Sequence, residues 1–108
     1  MTRIGLIGCG KMGSALLRGV AAADGNLTFA LSDVVPAAVE SLKDTLSGSV
    51  SSGSPTDVAE QSDVVILAVK PGDLKNLCES VATVAGDRLY LSIAAGVKIA
   101  DLEDWLGT

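Results

Sequence analysis

Arg3-Ile4-Gly5-Leu6-Ile7-Gly8-Cys9-Gly10-Lys11-Met12-Gly13 decides the fold. Arg3 to Ile7 is an apolar run of strand length that ends at glycine. From Lys11 to Ala23 the apolar residues Met12, Ala15, Leu16, Gly19, Val20 and Ala23 recur at three- and four-residue intervals, which predicts a helix with that face toward the core. Asp24-Gly25-Asn26 stops it. Strand, glycine turn and helix in this order open a nucleotide-binding unit, and the turn carries Gly-x-Gly-x-x-Gly in the context that gives the pattern meaning. Gly8 permits the tight turn, Gly10 has no Cβ to block a pyrophosphate, and Gly13 lets the helix approach the sheet. The helix start supplies free N–H groups and positive dipole character. Glycines that merely make a turn are the bland alternative.

Working outward, Leu27 to Ser32 reads as a second strand, and Pro36 opens a helix through Val39, Leu42, Lys43 and Leu46. The Ser/Gly-rich stretch Ser47 to Ser54 has linker composition, but splitting the chain there would leave two pieces too small to bury a core, so a short edge strand near Val50 is the expected content. Ser54 and Pro55 start a short helix to Gln61. Asp63 to Val69 is a continuous run rich in β-branched residues, as a parallel strand covered on both faces requires. Pro71 to Val84 predicts a helix closed by Gly86-Asp87, Arg88 to Ile93 a strand, Ala94-Ala95-Gly96 a tight loop and Ile99 to Leu106 a final helix. The alternation predicts an α/β fold with a mostly parallel sheet and right-handed crossovers, and with the glycine turn it is read as a three-layer Rossmann fold over residues 1–108, with helices on both faces and strand order 3-2-1-4-5.

The chain has 108 residues, enough for one small domain, and 48% of them are hydrophobic, too many for a disordered chain. A net charge of −5 disfavours nucleic acid as a partner. The absence of histidine removes an imidazole base, a Ser-His-Asp triad and the usual zinc ligands, so no metal site is expected. Cys9 and Cys78 lack CxxC spacing and fit a reducing cytoplasm. Leu6-Ile7-Gly8-Cys9 resembles a lipoprotein cleavage site only superficially, because eight residues cannot hold a signal peptide. The longest strongly apolar run, Val64 to Val69, is far short of a membrane span.

Asp33 lies twenty residues beyond Gly13 at the end of the second strand. An acid there can accept from the ribose 2′- and 3′-hydroxyls and repel a 2′-phosphate, or it can simply cap the helix that Pro36 opens. Cys9 is either a reactive thiol at a helix start or a small residue filling the loop, and no general base is visible near it. Cys78 reads as core packing.

Ile4 to Gly13 (IGLIGCGKMG), Val65 to Pro71 (VILAVKP) and Leu91 to Gly107 (LSIAAGVKIADLEDWLG) together closely resemble pyrroline-5-carboxylate reductase. The third motif is the most specific, since Ser-Ile-Ala-Ala-Gly-Val followed by a Leu-Glu-x-Trp-Leu helix is not a general Rossmann feature. The resemblance implies an oxidoreductase that reduces the cyclic imine of 1-pyrroline-5-carboxylate to L-proline with NADPH or NADH. It also implies that Gly8, Cys9, Gly10, Lys11, Met12 and Gly13 hold the pyrophosphate, and that Ser32 and Asp33 flank the adenosine ribose. Ala68, Val69, Lys70 and Pro71 would line the cofactor, and Ala94, Ala95 and Gly96 would lie near the nicotinamide. No catalytic residue is assigned.

The sequence departs from that family's pattern at two places. Family members often carry Asn where Lys11 stands, and those using NADPH tend to place a hydroxyl or Arg around Asp33 and Val34. They also continue into a helical C-terminal domain, with a Met-Pro-Asn-Thr-Pro segment, that forms the dimer and much of the imine site. Nothing in this sequence matches that domain, so a homo-oligomer is expected only with it. Another reductase of the β-hydroxyacid dehydrogenase-like group, or a freestanding dinucleotide-binding module, are the alternative readings.

Overall fold

The computed structural model describes residues 2–46, 49–84, 86, 88–93 and 98–107. The elements run β1 (Thr2–Ile7), α1 (Lys11–Ala23), β2 (Leu27–Ser32), α2 (Pro36–Lys43), β3 (Val50–Ser52), α3 (Pro55–Gln61), β4 (Val64–Leu67), α4 (Pro71–Val81), β5 (Leu89–Ser92) and α5 (Ile99–Leu106). A 3-10 turn, Ala82–Val84, finishes α4. The strands form one sheet in the order β3-β2-β1-β4-β5, and every neighbouring pair is parallel. A helix follows each strand and carries the chain back to the starting edge, which is what parallel pairing demands.

The central strands alternate between two cores. Ile4, Leu6, Phe29, Leu31 and Ile66 pack with Leu17 of α1 and with Val39 and Leu42 of α2. Ile7, Ala30, Val65 and Leu67 point the other way, onto Val58 of α3, Leu74, Cys78 and Val81 of α4, and Leu106 of α5. The three layers are therefore α1–α2, the sheet, and α3–α4–α5.

Local signals fix the helix ends. Ser54 and Asp57 form a reciprocal capping box at α3, with the Asp57 N–H donating to Ser54 Oγ and the Ser54 N–H donating to Asp57 Oδ2, both at 3.2 Å. Pro36, Pro55 and Pro71 each open a helix at its first position. Gly107, at φ 77°, closes α5 in the left-handed conformation.

Five expectations need correction. The face of α1 turned to the core is Gly13, Ser14 and Leu17, whereas Met12 is 70% and Leu16 40% exposed. Apolar residues lie almost all round this helix, so three- and four-residue spacing fits two faces, and the close approach at Gly13 chooses between them. Strand β4 stops at Leu67 and β5 starts at Leu89, each shorter than the apolar run that contains it, because pairing with the neighbouring strands sets their ends. Helix α2 ends at Lys43 rather than continuing to Leu46, as Thr45 Oγ1 donates to the Leu42 carbonyl at 2.9 Å. The α-helical part of α4 ends at Val81 and tightens into the 3-10 turn before Gly86.

A Cβ on Gly13 would lie 2.6 Å from the Gly8 carbonyl oxygen and 2.8 Å from Ala68 Cβ, while one on Gly19 of the same helix would meet nothing within 4 Å. Gly13→Ala should therefore destabilise the chain by about 1–3 kcal/mol through overpacking. Gly19→Ala should stabilise it by about 0.5–1 kcal/mol through helix propensity. Urea unfolding of the two variants tests the assignment, and equal effects would contradict it.

Candidate nucleotide-binding site

The chain runs from β1 outward to β2 and β3, then crosses to β4 on the other side of β1. The crevice at the carboxyl ends of β1 and β4 is thus the switch point of the sheet, where ligands of open α/β sheets bind. The glycine turn leaves β1 there and is held from both sides. The Gly8 N–H donates to the Ser32 carbonyl at 2.8 Å, and the Ala68 N–H donates to the Ile7 carbonyl at 2.8 Å. Gly8 has φ 100°, a conformation open to glycine, and a Cβ on it would lie 2.5 Å from the Ala68 carbonyl oxygen.

Side chains complete the clamp. Asp33 Oδ2 accepts from the Cys9 N–H at 2.5 Å, and Asp33 Oδ1 accepts from the Val35 N–H at 2.8 Å. The same carboxylate therefore steers the turn into α2 without capping it, since the N-cap of α2 is Val35 and no side chain caps it, and fastens the glycine turn to the end of β2. The Cys9 thiol donates to the Ser32 carbonyl at 3.6 Å, and Ser14 Oγ donates to the Cys9 carbonyl at 2.9 Å. Ser14 escaped the sequence reading. Its signal was a hydroxyl directly after the third glycine, on what proves to be the buried face of α1.

The start of α1 is left open. Gly10 is the N-cap, no side chain caps it, and the first turn carries no acid, in contrast to the capping box of α3. The first N–H groups of a helix have no partner inside it, and a Cβ on Gly10 would meet nothing within 4 Å. Free donors beside open space at the positive end of a helix are what a pyrophosphate needs. The glycine turn therefore fits that group.

Around it, Gly10, Lys11 and Met12 are exposed, and Ala68 and Val69 are half-buried against Gly8 and Gly13. Lys70 and Pro71 are exposed, as N-cap and first residue of α4. Ser32 is only 4% exposed, and its carbonyl holds Gly8 and Cys9. Ala94, Ala95 and Gly96 lie outside the described residues. The glycine turn lines neither of two cavities in the structure. One, of about 480 Å³, lies between β5 and α5 beside Tyr90, Ile99 and Leu102. The other, of about 240 Å³, lies at the opposite edge of the sheet beside Arg3, Thr28 and Gln61.

Comparison with known proteins agrees with this geometry. The family model described as "NADP oxidoreductase coenzyme F420-dependent" matches residues 3–96. The chain belongs to that family. Among curated relatives of this family member, the pyrroline-5-carboxylate reductase of Methanosarcina acetivorans is 40% identical over 96% of this chain and 39% of its own length. A solved pyrroline-5-carboxylate reductase from Coxiella burnetii superposes with a TM-score of 0.84 at 26% identity, over 99% of this chain and 40% of that one. The pyrroline carboxylate reductase of Plasmodium falciparum, solved with NADP bound, gives a TM-score of 0.77 at 27% identity, over 99% and 38%. The chain thus spans about two fifths of the length of the relatives it matches.

Burial, reinforced by the nearby Asp33 carboxylate, pushes the Cys9 thiol up to about 11 against the opposing hydrogen bond to Ser32. At neutral pH it is a protonated donor, which decides for a loop-filling residue over a nucleophile. With Cys78→Ala leaving Cys9 as the one reporter, a thiol reagent at pH 8 should label the folded chain at least about a hundredfold more slowly than the unfolded chain, from the thiolate fraction alone. The rate should climb about tenfold per pH unit up to the folded value. Labelling at pH 8 as fast as in the unfolded chain would overturn the assignment.

Proposed function

We propose that residues 1–108 are the NAD(P)-binding Rossmann domain of a pyrroline-5-carboxylate reductase, which reduces 1-pyrroline-5-carboxylate to L-proline. The observation that carries the reading is the open space at Gly10, set at an uncapped helix start inside a turn clamped from both sides. The names of the curated relatives support the choice of substrate.

In this reading the backbone of Gly8, Cys9, Gly10, Lys11, Met12 and Gly13 binds the pyrophosphate, with the Lys11 ammonium adding charge at the first turn of α1. Asp33 takes the adenosine ribose, with Ser32 supporting the turn through its carbonyl. Ala68, Val69, Lys70 and Pro71 line the path toward the nicotinamide, and Ala94, Ala95 and Gly96 lie beside the ring. When bound, NADPH or NADH supplies the hydride, and the chain positions it. The helical part found in the resembled family supplies the imine site and the contact with a second copy. Two free, buried cysteines support a cytoplasmic location. No helix among the described residues is long and apolar enough to cross a membrane.

Hydride transfer needs the imine carbon within about 3–3.5 Å of the nicotinamide, and such positioning is worth many orders of magnitude in rate. The glycine turn and the Ala68–Pro71 turn form one wall of such a site. These 108 residues alone should therefore bind cofactor yet turn over the imine at least about a hundredfold more slowly than a chain carrying the helical part. Spectrophotometric turnover within tenfold of the longer chain would sink the idea.

Gly10 separates binding from folding. Its φ of −71° and ψ of −174° are open to any residue, and the space for a side chain is free. Gly10→Val should leave stability within about 1 kcal/mol of the parent. Dinucleotide affinity by calorimetry should fall at least about tenfold, because the branched side chain occupies the phosphate's space. A well-folded variant with unchanged affinity would show that the pyrophosphate lies elsewhere.

A further inference from the structure

The lip beyond β2 has a composition and geometry that the cofactor reading leaves unused. Asp33 is followed by Val34, which is 98% exposed, and by Val35, which is 52% exposed, before α2 begins at Pro36. Large apolar side chains held in water at the end of the second strand serve no packing purpose there. From Ala30 to Leu42 the chain has no lysine or arginine, and Glu40 adds a second acid. The described hydrogen bonds give the Asp33 carboxylate two backbone amides as partners, and the ion pair of the described residues, Arg3 with Asp63, lies at the opposite, amino-terminal end of the central strands. Arg18 of α1, the basic residue that reaches the α2 end, is engaged with Thr45 Oγ1 at 3.2 Å.

Resting on the cofactor reading above, we infer that Asp33, fixed by the Cys9 and Val35 amides beside a lip without cations, makes this site select NADH over NADPH. Two amide donors fix the carboxylate but use only part of its acceptor capacity, since its two oxygens offer about four lone-pair sites. The remaining sites can accept from the hydroxyls of an unphosphorylated ribose. A 2′-phosphate brings close to two negative charges and no donor when ionised. Beside Asp33 it meets a like charge, with no lysine or arginine between Ala30 and Leu42 to neutralise it and two valine side chains that cannot donate. Asp33 cannot swing aside without giving up the Cys9 amide, which would loosen the glycine turn itself. The selection is therefore built into the same contact that shapes the phosphate site. It sets this chain apart from its relative solved with NADP bound.

The test is a pair of calorimetric titrations of the 108-residue chain with NADH and NADPH at one ionic strength, repeated on Val34→Arg and Asp33→Asn. The parent should bind NADH at least about tenfold more tightly, and the gap should narrow as salt rises, because like-charge repulsion is screened. Val34→Arg adds a cation without touching the Asp33 contacts and should shift the NADPH-to-NADH affinity ratio toward NADPH by about tenfold or more. Asp33→Asn removes the charge and keeps one carbonyl oxygen to accept from Cys9, at the cost of the bond from Val35, and should shift the ratio the same way. Equal or tighter NADPH binding by the parent would overturn the selectivity while leaving the cofactor reading intact. Binding of neither dinucleotide would bring down the cofactor reading, and the selectivity with it.

Discussion

The rest of the structure depends on one close approach, between the glycine turn after β1 and the backbone at the end of β4. With a Cβ at Gly8 placed 2.5 Å from the Ala68 carbonyl and one at Gly13 placed 2.6 Å from the Gly8 carbonyl, no other residue type fits either position without moving the sheet or the helix. That constraint seats α1 flat on β1 and turns Leu17 into the core beside Leu6 and Ile66. It also leaves the amino end of α1 facing the crevice with its donors free. A packing requirement thereby aims a helix dipole at the place where an anion can sit.

Asp33 links this local geometry to the wider sheet. Its carboxylate joins the turn after β1 to the turn after β2, and the Gly8 amide with the Cys9 thiol adds two contacts to Ser32 on the same strand. Charge-assisted bonds of this kind to backbone N–H groups are the stronger class of hydrogen bond. The glycine turn is therefore preorganised before any ligand arrives, which lowers the entropy a ligand must overcome on binding.

Much of this was legible in the sequence, for identifiable reasons. The parallel sheet follows from strict strand–helix alternation and its order from the Rossmann reading of the glycine turn, while β2, α1 and α5 have the bounds expected from their apolar spacing, with Asp24-Gly25-Asn26 as the stop after α1. The separate roles of Gly8, Gly10 and Gly13 follow from the motif's position between a strand and a helix, and the Cβ positions bear them out for Gly8 and Gly13. What stayed hidden is nonlocal. The bond from Cys9 to Asp33 spans 24 positions, and no periodicity encodes it. The core face of α1 was misread because small apolar residues surround the helix and only the contact at Gly13 fixes its rotation. Ser14 was missed because a lone serine in a helix has no spacing signal, and its role appears once the Cys9 carbonyl is placed beside it.

The central claim is that this clamped turn, rather than either cavity, receives the dinucleotide. Backbone amide chemical shifts during titration with NADH test it most directly, because each N–H reports its own surroundings. The account predicts that the largest shifts fall on Gly8 to Gly13, Val35 and Ala68 to Lys70. Shifts centred on Tyr90, Ile99 and Leu102, beside the cavity between β5 and α5, would contradict it.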